Sequence, residues 1–492
     1  MSLSSELGLA LAGVCKAGHA EVHENGKWLA GLSGPHYEVR SNGETTLLHL
    51  WSTHQSLVRR VIRLEEQSHG SVVIEVARFG HGRPARLEVV ASDDGHDARR
   101  IGREQWCDRL RHLIADGFPD ETVTSLVTSA DLHQTLSGSY ARGVMVAGAE
   151  AYAVLGAAPD EDQATFDGIL TFGLIWLDRE RQRASRKIVR GLRLFLPRGS
   201  SKVTAQRLTA LAPSLNVELY EYEPIQWRLR RLSISDAGNL ETWLAPRREI
   251  DAALAAPPQE VESIRKLDPD AIRVEVSAVT RDIAVRFRGL EIARWQQGVL
   301  WFGLSNRPTM LTPDNRPVLE GLVHQLAVKR HSLASDTMNR FYRAQPERWL
   351  ETMIAADPAR IDPRLDTKHI YSQVPAFASG THGITDLLGV TRDGRLVVLE
   401  LKAKEDIHLV VQAVDYWLRV RWHQQQDDFR RYGYFPGIEL QSKPPLLFLV
   451  APGLQFHPTN DILLRYLSPE IEVIRVGLSE NWRHGLRVIF RH

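Results

Sequence analysis

The chain is poor in cysteine. Cys15 and Cys107 are the only two among 492 residues, too few for a disulfide framework or a cysteine-based zinc site, and in keeping with a reducing compartment. It also lacks an excess of charge of either sign. With 61 basic against 60 acidic residues and a net charge of +1, it is not a polycation that coats nucleic acid or an anionic membrane, so polyanion contacts must come from local patches. Long apolar runs are missing too. The longest, around Ile169–Leu177, is about half of what a membrane span needs, so no membrane partner is expected. The mildly apolar Leu7–Cys15 follows Glu6 without a basic segment and does not read as a signal peptide, which makes a cytoplasmic location the expectation. Lysine is scarce as well: it supplies ten of the 61 basic residues, so Lys402 and Lys404, two apart, stand out.

What is present is ordinary for a soluble globular protein, 43% hydrophobic and 25% charged. At about 100–200 residues per domain, the length suggests three to four domains or two large ones. Residues 20–95 read as strand-rich, with runs such as Ser71–Ala77 and Arg86–Val90 between turn signals. Apolar residues at helical spacing (Trp106, Leu110, Leu113, Ile114) mark a helix over 102–116. The stretch Ala255–Glu262, with Ala-Ala-Pro-Pro, reads as a linker with room for a short helix. A small β region over 272–305, a helix over 316–333 and an α/β segment over 346–492 follow. The expected fold class is α/β, in the sense of a multi-domain α+β chain. It divides into a β-rich region (1–100), an α/β domain (101–250), a small β region with a helix (265–335) and a C-terminal α/β domain (336–492).

The two halves share an order of parts. Trp176-Leu-Asp-Arg-Glu-Arg has a counterpart in Trp417-Leu-Arg-Val-Arg, and the apolar strands Leu192–Leu196 and Leu446–Val450 each precede a Thr and a Leu-rich helix. Thr204 precedes Trp227 by the same 23 positions as Thr459 precedes Trp482. This order is consistent with an ancient duplication or with coincidence between two α/β segments. Aligned that way, Ala151–Ala158 matches the strand that ends in Glu400 and Lys402, with Gly156 and Ala158 at those two positions. The earlier copy then has neither carboxylate nor amine.

One stretch concentrates the chemistry: Gly383-Ile-Thr-Asp386-Leu-Leu-Gly-Val-Thr-Arg-Asp393-Gly394-Arg-Leu-Val-Val-Leu-Glu400-Leu-Lys402. Two apolar runs flank an Asp-Gly pair, the signature of a β-hairpin. Glu400 and Lys402, two apart on a strand, leave the same face. A carboxylate and an ammonium at the end of a buried strand need a partner or a metal. Register supplies a test. A two-residue loop would set Asp386 opposite Leu401, whereas a three-residue loop with a glycine bulge sets it opposite Glu400 or Lys402. A helix follows over 406–423, with Gln412 and Tyr416 four apart on one face. Another helix opens at Pro346-Glu347 upstream; there Glu347 complements the helix dipole or serves the site, with Glu351 as its rival.

The order Glu347, Asp386, Glu400-x-Lys402, Gln412-x-x-x-Tyr416 resembles the PD-(D/E)xK nuclease superfamily in its RecB-like branch, and the hairpin is most similar to prokaryotic mismatch-type endonucleases. No proline precedes Asp386, a departure from the family pattern. The resemblance implies a restriction-endonuclease-like mixed sheet flanked by helices, in a divalent-metal (deoxyribo)nuclease that hydrolyses phosphodiester bonds. Asp386 and Glu400 then hold Mg²⁺ or Mn²⁺, with the Leu401 carbonyl and Glu347 completing the set. Lys402 serves the attacking water, and Gln412 and Tyr416 position substrate or lysine. DNA is the expected partner, RNA is not excluded, and endonuclease action is favoured; two-strand cutting leaves a homodimer open. Arg419, Arg421, Arg430 and Arg431 are the expected phosphate contacts, ahead of Arg179–Arg193 and Arg228, Arg230 and Arg231. His408 reads as a core or surface histidine, and Gly199-Ser-Ser-Lys202 is not a P-loop. The alternatives are an inactive nuclease-fold binder or scaffold, and an effector nuclease switched on by a partner.

Overall fold

The computed structural model describes the chain apart from residues 1–2, 16–18, 26, 34–36, 43–44, 52–55, 69, 78–83, 92–94, 129–135, 184–186, 225, 234–239, 241, 278–279, 305–307, 373 and 375–386. The described residues form a mixed α/β, multi-domain structure with four separate sheets. No helix among the described residues is long and apolar enough to cross a membrane.

The N-terminal region is a seven-stranded antiparallel sheet between His19 and Ala91. The helix Leu3–Cys15 lays Leu7, Ala10, Leu11 and Val14 onto it, spaced as one helical face. That face accounts for the apolar stretch near the N-terminus. Between the two halves lies a five-stranded antiparallel sheet, Ile272 to Met310. Leu319, Val323 and Leu326 of the helix Arg316–Lys329 cover it. The stretch expected to be a linker is largely helical: Arg247–Ala255 and Gln259–Arg265 flank the two prolines, and Val261 and Ile264 join the core of this sheet.

The remaining two sheets have one topology. In the first unit, helix α1 (Gly95–Gly117) precedes β1 (Thr122–Val127), β2 (Tyr140–Ala147), β3 (Glu150–Ala157), α2 (Gln163–Gln182), β4 (Ile188–Pro197), α3 (Lys202–Leu208), β5 (Asn216–Tyr222) and β6 (Leu229–Leu232). In the second, α4 (Pro346–Ala356) precedes β7 (Tyr371–Ser372), β8 (Leu387–Val390), β9 (Leu396–Leu401), α5 (Leu409–Gln425), β10 (Leu446–Pro452), α6 (Asn460–Arg465), β11 (Val473–Leu478) and β12 (Val488–Arg491). Each sheet holds its six strands in sequence order. Each pairs them antiparallel, antiparallel, parallel, parallel, antiparallel. Parallel neighbours need a crossover, which α2 and α3 supply in one unit and α5 and α6 in the other.

These crossover helices meet. One continuous core takes Leu155, Leu192 and Leu194 from the first sheet, Val398, Leu447 and Leu449 from the second, and Leu174, Trp176, Val414 and Trp417 from the helices between. The seam pairs like with like. In Leu211-Ala-Pro and Leu467-Ser-Pro the two leucines form an antiparallel bridge. Ala212 N donates to Tyr466 O at 2.9 Å and Ser468 N to Ala210 O at 2.8 Å, a reciprocal pattern of the kind a two-fold axis generates. Charges cross it in both directions. Arg207 of α3 forks onto Asp415 of α5 at 2.9 and 2.7 Å, and Arg465 of α6 reaches Asp178 of α2 at 3.1 Å.

The shared topology also corrects the alignment of the halves by one residue. Leu155 pairs with Leu194 across β3/β4, as Glu400 pairs with Leu449 across β9/β10. Leu194 and Leu449 both face the shared core, whereas Phe195 faces the other side. Leu155 and Ala157, rather than Gly156 and Ala158, therefore stand where Glu400 and Lys402 do. Gly156 faces the core on the other side of the sheet, where an added Cβ would lie 2.7 Å from Leu110.

Burial works against the charge of Arg207, and the Asp415 carboxylate outweighs it, holding the guanidinium pKa above its usual value. In urea unfolding, Asp415→Ala should lower stability by about 3–5 kcal/mol, because it strands a buried cation. Replacing both partners with leucine should recover most of that. A loss below about 1 kcal/mol, as at an exposed pair, would remove this ion pair from the forces holding the seam.

Candidate active site

The hairpin β8–β9 pairs Leu387 with Leu399, Leu388 with Val398 and Val390 with Leu396. Thr391 N donates to Arg395 O and Gly394 N to Thr391 O, with Gly394 at φ +90°, so Arg392, Asp393 and Gly394 make a three-residue loop with a glycine bulge. This is the parity that the sequence reading requires. Asp386 itself lies outside the described residues. Gln441 locks the tip: its N–H donates to Gly394 O, and its side-chain amide to Asp393.

Every residue of β9 is buried. Val397, Leu399 and Leu401 face α4, while Leu396 and Val398 face α5. Alternation puts Glu400 and Lys402 on the α5 side. Glu400 is only 4% exposed, so its charge cannot rely on bulk water. Lys402 Nζ lies 3.6 Å from Glu400 Oε1 and 3.1 Å from Asp406 Oδ2. Asp406 was not singled out in the sequence. It also accepts from His408 N at 2.7 Å, turning the chain into α5. On α5, Gln412 is half-buried and Tyr416 buried in the shared core.

Glu347 enters from the other face. Pro346 starts α4, and Glu347 Oε1 accepts from Ala403 N at 3.4 Å, beside the end of β9. Its rival Glu351 is taken by Arg348 at 2.8 Å within the helix. The next turn anchors α4. Trp349 packs edge-on against Tyr342 and Trp482, with the Arg330 guanidinium 4.7 Å from its ring centre. Arg330 is fully buried and donates to the carbonyls of Arg288, Phe341 and Ala344. Its pKa is pushed down to about 9, chiefly by burial, with Arg483 and Arg288 adding repulsion. Arg483, also missed in the sequence, lies over Trp482 at 4.2 Å. Burial lowers its pKa, while Tyr342 and Glu347 act in the opposite sense. It is thus a cation within electrostatic reach of Glu347.

The arginines of the sequence reading have different surroundings. Arg419 is 4% exposed and donates to Asp415 O, so it faces the core rather than a polyanion. Arg421 binds the carbonyl of Ser442 at 3.0 Å, beside the Gln441 that locks the hairpin tip. Arg430 and Arg431 are exposed on the short helix Asp428–Arg431 that follows α5, where Arg431 lies 3.8 Å from Asp428. In the first unit Arg193 is buried between Glu121 and Glu218, and Arg230 and Arg231 pair with Glu221 and Glu218. His408 joins the site to the first unit: its Nδ1 and Thr171 Oγ1 share a hydrogen bond of 3.0 Å, and its ring meets Phe172 edge-on.

Among the described residues no three acidic, histidine or cysteine side chains gather as a metal cluster. What does gather is the Glu400 carboxylate, beside the strand end that Glu347 reaches. Such all-oxygen donors suit a hard divalent cation; Asp386, which the resemblance implies as a further ligand, lies outside the described residues.

No family model matches the chain, and no curated protein matches it. Among solved structures the chain is similar to a repair endonuclease from Pyrococcus abyssi, at 13% identity and a TM-score of 0.18, over 45% of this chain and 94% of that one.

Two outcomes test this geometry. Gly394→Ala forces a side chain into positive φ and puts its Cβ 2.0 Å from Glu439 O. It should cost more than about 1 kcal/mol in denaturant unfolding, and a neutral result would mean that the loop is not built this way. Burial holds His408 below the usual histidine pKa, with Arg207 and Lys402 adding to the shift and Asp406 opposing it. The unfolded chain therefore binds the proton first. The stability that neutral His408 contributes is full above about pH 6.5 and is lost as pH falls from there through the lower folded value. His408→Gln should flatten part of that acid-side slope. His423, depressed by burial against the pull of Asp428, keeps its own share. An unchanged stability–pH profile in the variant would rule out the neutral buried His408.

Proposed function

We propose that residues 336–492 form a PD-(D/E)xK nuclease domain, restriction-endonuclease-like in its mixed sheet, which hydrolyses phosphodiester bonds in DNA as an endonuclease. The observation that carries this reading is the end of β9: Glu400 and Lys402 on one face, Lys402 drawn between two carboxylates, and Glu347 on the next amide. The three-residue hairpin loop supports it, since that parity is the one the reading needs.

The proposed ion is Mg²⁺ or Mn²⁺, held by Glu400, Asp386, the Leu401 carbonyl and Glu347; when bound it supplies Lewis acidity and lowers the pKa of water. The remaining work belongs to the chain. Lys402, tethered by Asp406, presents an ammonium that orients the attacking water and offsets charge building on the phosphate. The apolar walls of β9 and α5 keep bulk water from the buried carboxylate, which strengthens each of these interactions. Gln412, on the helix that covers this face, lies on the side from which substrate or lysine is positioned. Arg483 adds positive charge on the Glu347 side.

The test is cleavage of labelled single-stranded, double-stranded and mismatched DNA with Mg²⁺ or Mn²⁺. Wild type should cut, EDTA should stop it, and Glu400→Gln, Asp386→Ala and Lys402→Ala should each lower the rate by about 10²-fold or more. Tight DNA binding with no cleavage, indifferent to metal and to all three substitutions, would replace the nuclease with a nuclease-fold reader.

A further inference from the structure

We infer that the first α/β unit takes the place of a second nuclease subunit, so that the chain is an internal pseudo-dimer with one competent site and cuts one strand per encounter. The inference rests on the nuclease reading of the second unit.

The two units match in more than strand order. Trp106 of α1 lies 6.2 Å from Trp227, as Trp349 of α4 lies 6.1 Å from Trp482. In sequence Glu104 stands two before Trp106, as Glu347 stands two before Trp349. The frame of a site is therefore present twice.

The chemistry is present once. At the positions of Glu400 and Lys402 the first unit has Leu155 and Ala157, both buried in the shared core. Across its hairpin Leu155 faces Arg142, in the place that the sequence register assigns to Asp386. That guanidinium lies 5.8 Å from the Trp176 ring. A leucine, an alanine and a cation cannot hold a divalent ion.

The pairing is closed within the chain. A second copy of the nuclease unit could pack through α5 and α6 only by displacing α2 and α3, which already cover them with reciprocal backbone bonds and two crossing ion pairs. The seam runs up to the site, since His408 lies two residues beyond Asp406 and is bonded to Thr171. The two backbones of a duplex run antiparallel, so two sites related by a two-fold axis can meet both in one binding event. A single site meets one of them, and must dissociate and rebind reversed to reach the other.

The experiment uses the full chain, with Mn²⁺ or Mg²⁺ and a covalently closed plasmid in excess, some of it carrying one mismatch. Light scattering is run at the same protein concentration. The expected result is a mass of 55.5 kDa, with nicked circles accumulating first and linear DNA following only after a lag. Linear product formed from the outset at the rate of nicking would overturn the inference. So would a particle of twice that mass, because it would bring a second competent site. Absence of any cleavage fells the nuclease reading and the one-strand claim together, and is told apart from the other failures because all the plasmid stays closed.

Discussion

A pair of parallel strands has to be covered on both faces, and in this protein each α/β unit covers the inner face of the other. Leu192 and Leu194 of one sheet and Leu447 and Leu449 of the other belong to a single core, with four crossover helices between them. Neither helix layer is amphipathic in the way a surface layer would be: α5 buries Val410, Val411, Ala413, Val414, Trp417 and Val420, which is most of its circumference. Such helices give little of their surface to water. The two ion pairs follow from this constraint, because buried Arg207 needs the Asp415 carboxylate and buried Asp178 needs the Arg465 cation.

Much of this was legible in the sequence where the signal is local. The hairpin was legible from its Asp-Gly pair, but its parity was not, since that pair serves two-residue and three-residue loops alike. The buried strand showed itself as an unbroken apolar run ending in charge. The register of the first unit was not legible. Ala151-Tyr-Ala-Val-Leu-Gly-Ala-Ala is buried on both faces, so it lacks the alternation that would tell Leu155 from Gly156. Asp406 and Arg483 were missed because their roles come from tertiary placement: a turn folds one back to Lys402, and the strand-to-coil exit after β11 carries the other to Glu347.

The small central sheet has a mechanical part in the site. Arg330, at the end of its covering helix, donates to the carbonyls of Phe341 and Ala344 just before α4 and to Arg288 within the sheet unit. A buried guanidinium with no carboxylate is costly unless its hydrogens are satisfied, and these carbonyls satisfy them. The start of α4, and with it Glu347, is thereby fixed against two bodies at once: the central sheet through Arg330 and the C-terminal sheet through Trp349 and Trp482. Gly289 shows how close the approach is, since a Cβ there would lie 2.3 Å from Arg348 O.

The reciprocal bridge between Leu211 and Leu467 joins segments of one polypeptide. Separate subunits that meet through such a bridge drift apart as they become scarce, because their association depends on how many copies share the volume. Here the tether sets the local concentration of one half around the other. The pairing therefore survives dilution unchanged, and a single molecule carries the whole arrangement.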